Sequence, residues 1–107
     1  MGRFASKAKY ETLEVQGEKL KLVFDINAMS LVEERYESLN SALTLLKTKP
    51  FTTIKGLLEI GLYNEELDSE DIAAIVQDLG IEKLSTLIGK NINDNLVKKK
   101  KVKQRKK

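Results

Sequence analysis

The residues that most often carry out chemistry are scarce in this chain. It contains no His and no Cys, which removes the usual general bases, activated nucleophiles and zinc ligands. Three pairs of carboxylates are adjacent: Glu33-Glu34, Glu65-Glu66 and Glu70-Asp71. Side chains of neighbouring residues diverge, so these pairs do not form a catalytic dyad. The sequence therefore predicts a protein that is not an enzyme.

The acidic stretch 68–71 comes nearest to a metal-binding motif. It lacks the glycine and the terminal glutamate of a calcium loop. A serine followed by two acidic residues is instead typical of a helix N-terminus, with Ser69 as the cap. No glycine-rich phosphate loop follows a predicted strand. We therefore expect neither a metal ion nor a cofactor.

The C-terminal segment 98–107 has the clearest chemical preference. It has eight basic residues and no acidic one: Lys98, Lys99, Lys100, Lys101, Lys103, Arg105, Lys106 and Lys107. Without these eight, the rest of the chain has 11 of the 19 basic residues and all 16 acidic ones, so its net charge is about −5. A block of like charges repels itself and has little apolar surface to bury, so we predict a disordered tail over residues 97–107.

This tail is a candidate polyanion-binding segment. Its lysines can neutralise phosphates and bind nucleic acid with a steep dependence on salt. Because the segment contains no aromatic residue for base stacking, we expect no sequence preference. A small nucleic-acid-binding protein is thus one alternative function, and a tail that only increases solubility is the other interpretation.

The N-terminal residues 1–9 are predicted to be flexible. The stretch from Met1-Gly2 to Ser6 matches the template for N-myristoylation. Together with a basic tail this would supply the two signals of a membrane-associated adaptor. The template is permissive, and the adaptor is kept as a second alternative. No apolar run approaches the roughly 20 residues that cross a bilayer, and the start of the chain is expected to hold no secretory signal. We predict a cytoplasmic protein without a membrane partner.

The hydrophobic period changes at Asp25. Before it, apolar residues alternate as in a half-buried strand: Leu20, Leu22 and Phe24. After it, they recur every three or four residues, as on one face of a helix: Met29, Val32, Tyr36, Leu39, Leu43 and Leu46. Asp25 or Asn27 can cap that helix. Residues 10–24, with Gly17 in the turn, predict a β-hairpin.

Five helices are predicted after the hairpin. Their approximate bounds are 26–39, 41–47, 50–63, 69–79 and 81–92. Ser41 is the predicted cap of the second helix, Pro50 suits the first turn of the third, and Gly80 ends the fourth. The asparagine-rich stretch 91–95 is expected to end the last helix.

One α+β domain over residues 10–96 follows from these elements. Its N-terminal β-hairpin packs on a bundle of four to five helices, and Leu58 is a predicted core residue.

The order of these motifs resembles the tailed-bacteriophage tail assembly chaperones, over about residues 10–92. The first signature is an aromatic strand end, an Asn-Ala pair and an apolar-Glu-Glu helix: Phe24-Asp25-Ile26-Asn27-Ala28-Met29 and Val32-Glu33-Glu34. The second is a buried helix that ends in a Gly-Leu pair: Phe51, Ile54, Leu57-Leu58 and Gly61-Leu62. The last is a closing helix pair: Leu67 to Ile72, Leu79-Gly80, Leu84 and Leu87.

The resemblance implies a role without catalysis. Such proteins bind the aggregation-prone tape measure protein in the host cell cytoplasm, keep it soluble and help tail tube protein to polymerise around it. They are absent from the mature virion. Two departures from the family are Ile60, where an aromatic residue is common, and the basic tail.

Ile60 and Tyr63 lie off the predicted core stripe of their helix. Either this helix packs on two sides, or these residues belong to a docking surface. On the second interpretation Ile60, Tyr63 and Leu67 are the predicted partner-binding residues. The resemblance also implies a programmed frameshift near the lysine codons 98–101, which intact-mass analysis of the gene expressed with its downstream sequence would test.

Overall fold

The computed structural model describes residues 8–104, with side chains as far as residue 96. Within that part of the chain an antiparallel hairpin precedes five helices. The elements are β1 (Glu11–Val15), β2 (Glu18–Leu22), α1 (Ile26–Tyr36), α2 (Leu39–Thr48), α3 (Pro50–Gly61), α4 (Ser69–Leu79) and α5 (Ile81–Gln104). The predicted α+β fold, with its N-terminal hairpin on a helical bundle, is confirmed.

The hairpin forms where the alternating sequence predicts it. Leu13 pairs with Leu20, and Val15 pairs with Glu18 next to the turn. Both turn residues, Gln16 and Gly17, have positive φ, of 51° and 85°, which is the combination that suits a two-residue hairpin turn. The inner face of the hairpin is buried: Leu13, Val15, Leu20 and Leu22.

The break between the first two helices lies earlier than predicted. Glu37 has a φ of 78° and ends α1. Ser38, not Ser41, caps α2, because the Ser38 Oγ accepts a hydrogen bond from the Ser41 backbone N at 2.9 Å. Asp25 caps α1, as one of the two predicted residues, through a 2.9 Å hydrogen bond from the Ala28 N.

Helix α3 is the centre of the core. Pro50 lies in its first turn, and Leu58 is fully buried as predicted. Gly61 brings the hairpin close to this helix, since a Cβ there would lie 2.6 to 2.8 Å from the Leu22 and Phe24 side chains. The Val23 N donates to the Gly61 O at 2.9 Å and ties the end of the hairpin to α3.

The start of α4 also differs by one residue from the prediction. Asp68, not Ser69, is the cap, and it forms a reciprocal capping box with Asp71. Asp68 and Ser69 are both good capping residues. The residue three positions later distinguishes them, because Asp71 can complete a capping box with Asp68 whereas Ile72 cannot do so with Ser69. Gly80 ends α4, as predicted, with a φ of 90°.

Helix α5 continues well beyond the predicted end at residue 92. The asparagines that were expected to end it are part of the fold instead: Asn91 is fully buried. Its Oδ1 accepts from the Phe24 N at 2.7 Å, and its Nδ2 donates to the Lys9 O at 2.9 Å. Residues 97–104 of the predicted tail lie on the backbone of this helix, and residues 105–107 lie outside the described part of the chain.

Candidate functional site

The three predicted partner-binding residues do not form one surface patch. Ile60 is only 6% exposed, so the expectation that it is an exposed residue is wrong. Helix α3 packs against α1, α2, α4 and α5 and therefore buries more than one stripe. Tyr63 is 39% exposed, and Leu67 is half-buried against the core.

Tyr63 and Ile60 instead border a seam between α1 and α3. We define the α1–α3 seam by three residues of α1, two of α3 and one that follows the end of α3: Asn27, Leu31, Arg35, Glu59, Ile60 and Tyr63. The two helices run antiparallel, because Asp25 at the start of α1 contacts Tyr63, whereas Arg35 near its end contacts Glu59. On α1 the seam residues recur every four positions, which places them on one helix face.

The middle of the α1–α3 seam is an apolar depression of about 440 Å³. Two apolar residues line it: Leu31 is 40% exposed, and Ile60 is buried. Glu34, Arg35 and Glu59 complete the lining. The depression therefore combines an accessible apolar centre with charged groups at one end.

Tyr63 is held in place at the other end of the seam. Its hydroxyl donates to the Asp25 Oδ2 at 2.7 Å, while the Oδ1 of the same carboxylate caps α1. The hydrogen bond to Asp25, together with partial burial, raises the pKa of Tyr63 above its ordinary value. A partly exposed ring that is already fixed loses little side-chain entropy when a partner packs on it.

Glycine allows the close approach of α1 and α3 at the charged end of the seam. A Cβ at Gly56 would collide with the Tyr36 hydroxyl. Burial raises the pKa of Tyr36, and Arg35 nearby opposes that shift. The guanidinium of Arg35 lies 5.9 Å from the Tyr36 ring centroid and 3.0 Å from the Glu59 Oε1. Both members of this ion pair are about half exposed, so it orients Arg35 more than it stabilises the fold.

Leu67 belongs to a different depression, between the hairpin and α4. We define the hairpin groove by its lining residues: Val15, Gln16, Glu18, Leu20, Leu67, Asp71, Ala74 and Ile75. None of them is shared with the lining of the seam depression. The structure thus separates Leu67 from Ile60 and Tyr63.

Leu31 is the residue that sequence reasoning missed. It lies two positions after Met29, off the apolar stripe of α1, and an apolar residue off the stripe was the available signal.

The basic residues of the predicted polyanion-binding tail are divided: 98–101 and 103 lie on the α5 backbone, and 105–107 fall outside the described range.

Among residues 8–104 no cluster of His, Cys, Asp or Glu side chains is arranged to hold a metal ion. Within the same range no helix is both long and apolar enough to cross a membrane. The myristoylation template at residues 1–6 lies outside the described residues. Comparison with protein-family models, curated proteins and solved structures finds no match to this chain.

Proposed function

We propose that this protein is a non-enzymatic tail assembly chaperone of a tailed bacteriophage. In this proposal it binds the tape measure protein in the host cytoplasm, keeps it soluble and promotes assembly of the tail tube around it. It acts before the virion is complete and is not retained there.

One structural observation supports the proposal most. The two longest stretches that carry the resemblance pack against each other: Phe24, from the first signature, lies over Gly61, from the second. The residue directly before the first signature, Val23, donates a backbone hydrogen bond to Gly61. Their order and spacing are therefore those of one packed unit, not of two unrelated apolar patterns.

The α1–α3 seam is the proposed client-binding surface. Its apolar centre at Leu31 and the fixed ring of Tyr63 can contact the apolar face of a client helix. Glu34, Arg35 and Glu59 at its edge can select the charges that flank that face. A surface of this kind can shield apolar segments of a long client without any catalytic group.

Co-expression with the tape measure protein of the same genome tests the proposal. The soluble fraction of the tape measure protein should rise with this chain present. Leu31→Asp places a charge in the apolar centre of the seam and should abolish that rise. Phe51→Asp is the matched control, because Phe51 is 70% exposed at the start of α3 and does not line the seam depression.

Two outcomes would contradict different parts of the proposal. If the wild-type chain leaves the tape measure protein insoluble, the proposed function is wrong. If the wild-type chain solubilises it and Leu31→Asp does so equally well, the function stands and the seam is not the surface. Circular dichroism of both variants checks that they remain folded.

The alternative function is a small nucleic-acid-binding protein that acts through the basic tail. The observation that favours it is the continuation of α5 to Gln104, which places lysines 98–101 and 103 on a helix backbone. Affinity for arbitrary DNA that falls steeply with salt and is lost without residues 98–107 would support this alternative.

A further inference from the structure

The hairpin groove has a lining that the proposed function does not use. Its floor is apolar, formed by Val15 and Leu20 of the hairpin with Leu67 and Ile75 of the helical side. Its volume is about 170 Å³, a size that suits a single side chain more than a helix. The walls carry two carboxylates, Glu18 and Asp71, and no cation.

The position of Glu18 follows from the hairpin register. Glu18 pairs with Val15 beside the turn, and it shares the inner face of β2 with Leu20 because alternate residues of a strand point the same way. Being at the end of the strand, it is exposed where Leu20 is buried. Its carboxylate therefore lies at the rim of the apolar floor.

Asp71 lies at the rim on the other side, in the first turn of α4. Its Oδ2 accepts a hydrogen bond from the Asp68 backbone N at 3.1 Å, which fixes the carboxylate. The Glu65 Oε2 accepts from the Lys21 backbone N at 2.9 Å and holds the 62–68 connection against β2. Of the two wall carboxylates, Asp71 is thus positioned by a hydrogen bond and Glu18 by the strand register.

Within residues 8–96 neither wall carboxylate has a cationic partner. Among residues 8–96 the ion pairs are formed by Arg35 and Lys90, and neither Glu18 nor Asp71 takes part. Residues 65–82, which supply one side of the groove, include seven acidic residues and no basic one. The groove therefore has a negative field with no internal cation to balance it.

We propose that the hairpin groove binds an arginine or lysine side chain of a partner protein segment. The aliphatic stem of that side chain packs on Val15, Leu20 and Ile75, and its charged head reaches the carboxylates of Glu18 and Asp71. This division of a long basic side chain, apolar stem buried and cation at the rim, is the way such residues cover apolar surface elsewhere. An anionic ligand such as a nucleic acid is repelled by the same walls.

The proposal concerns the groove alone and does not depend on the client assigned to the seam. The partner segment is recognised by its basic side chain. The basic segment 98–107 of a second copy of this chain has related chemistry, and it is an outcome that the experiment distinguishes.

Two synthetic peptides are the probes: a leucine-arginine-leucine sequence flanked by glycine and serine, and the same peptide with citrulline in place of arginine. Citrulline keeps the shape of arginine and removes its charge. Titration of the ¹⁵N-labelled full chain should shift amide resonances of residues 15–18 and 67–75 with the arginine peptide. The citrulline peptide should bind roughly two- to tenfold more weakly, as expected for partly exposed ion pairs.

The variant Glu18→Gln with Asp71→Asn removes both charges and retains an oxygen that can accept the Asp68 hydrogen bond. It should weaken the arginine peptide by roughly two- to tenfold as well. Glu70→Gln with Asp78→Asn is the matched control. It changes the net charge equally from exposed positions of α4 that do not line the groove, and it should leave the affinity nearly unchanged.

Three results would overturn the proposal. Equal binding of the citrulline peptide would remove charge recognition, and equal weakening by the control variant would reduce the effect to net charge. Resonance shifts that depend on protein concentration without peptide, and that vanish in Glu18→Gln with Asp71→Asn, would assign the groove to a second copy of this chain. Well-dispersed spectra show in each case that the variant is folded.

Discussion

Replacement of Asn91 by leucine tests the way in which α5 is joined to the hairpin. The Asn91 amide lies in the core and bridges two backbone segments: its Oδ1 accepts from the Phe24 N, and its Nδ2 donates to the Lys9 O. Lys9 and Phe24 continue the register of the hairpin, in which Glu11 faces Leu22. The asparagine therefore takes the place of a direct backbone hydrogen bond between the two strands.

The magnitude follows from which groups Asn91→Leu leaves without a partner. The Lys9 O retains a donor, since the Asn95 Nδ2 lies 3.2 Å from it. The Phe24 N–H loses its acceptor in a buried site, and an unsatisfied buried donor costs about 1–3 kcal/mol. Leucine is bulkier than asparagine and leaves no cavity, so overpacking in this fully buried site adds to the loss from the unsatisfied donor.

Urea unfolding monitored by circular dichroism measures the effect. Asn91→Leu should lower the free energy of unfolding by at least about 1 kcal/mol without changing the slope against urea concentration. Asn93→Leu is the control on the exposed side of the same helix and should stay within about 0.5 kcal/mol of the wild type. Equal values for the two variants would refute the role assigned to Asn91.

Three further predictions concern the core and the seam. Leu58→Ala should lower the free energy of unfolding by about 2–5 kcal/mol, because Leu58 is fully buried; urea unfolding with a loss under about 0.5 kcal/mol would contradict its core position. Gly61→Ala should destabilise the fold by about 1–3 kcal/mol, because the added methyl group collides with the hairpin. Gly89→Ala is the control: Gly89 has open space around it, and the change should stabilise helix α5 by about 0.5–1 kcal/mol. A higher melting temperature for Gly61→Ala than for Gly89→Ala would contradict the packing at Gly61. The pKa of Tyr63 is raised in the folded state. Its hydrogen bond to Asp25 therefore stabilises the fold below the ordinary tyrosine pKa, and this stabilisation is lost as the pH rises through the raised pKa. The free energy of unfolding, measured across this alkaline range, should fall less in Tyr63→Phe than in the wild type.

The hairpin and the helical core could be predicted because their signals are local. The alternation of apolar and polar residues up to Phe24 and the helix cap at Asp25 locate the change from strand to helix within a few residues. Pro50 and Gly80 mark helix ends by backbone restrictions that do not depend on the rest of the fold. These elements lie where the sequence predicts them.

The features that could not be predicted depend on contacts between distant residues. Asparagine has a poor helix propensity, so Asn91 and Asn95 predict a helix end. Their place inside α5 follows from the backbone groups of Lys9 and Phe24 that their amides satisfy, and the sequence around residue 91 does not reveal these contacts. The sequence left open for the same reason whether Ile60 is buried by two-sided packing or exposed on a docking surface, and it is buried because α3 packs against four other helices.

The α1–α3 seam was predictable only in part. Tyr63 was identified as a residue left off the core stripe, and it is partly exposed. Leu31 was not, because a single apolar residue among Ser30, Glu33 and Glu34 is common on helix surfaces. Its pairing with Ile60 is a consequence of the antiparallel approach of two helices, which periodicity alone does not specify.

Dilution of denatured tape measure protein into buffer with the purified full chain tests the central proposal most directly. Light scattering reports aggregation of the tape measure protein, and size-exclusion chromatography reports a complex. The proposal predicts that a stoichiometric amount of this chain suppresses the scattering and co-elutes with the tape measure protein. Scattering equal to that with an unrelated acidic protein of the same size, with no co-elution, would contradict it.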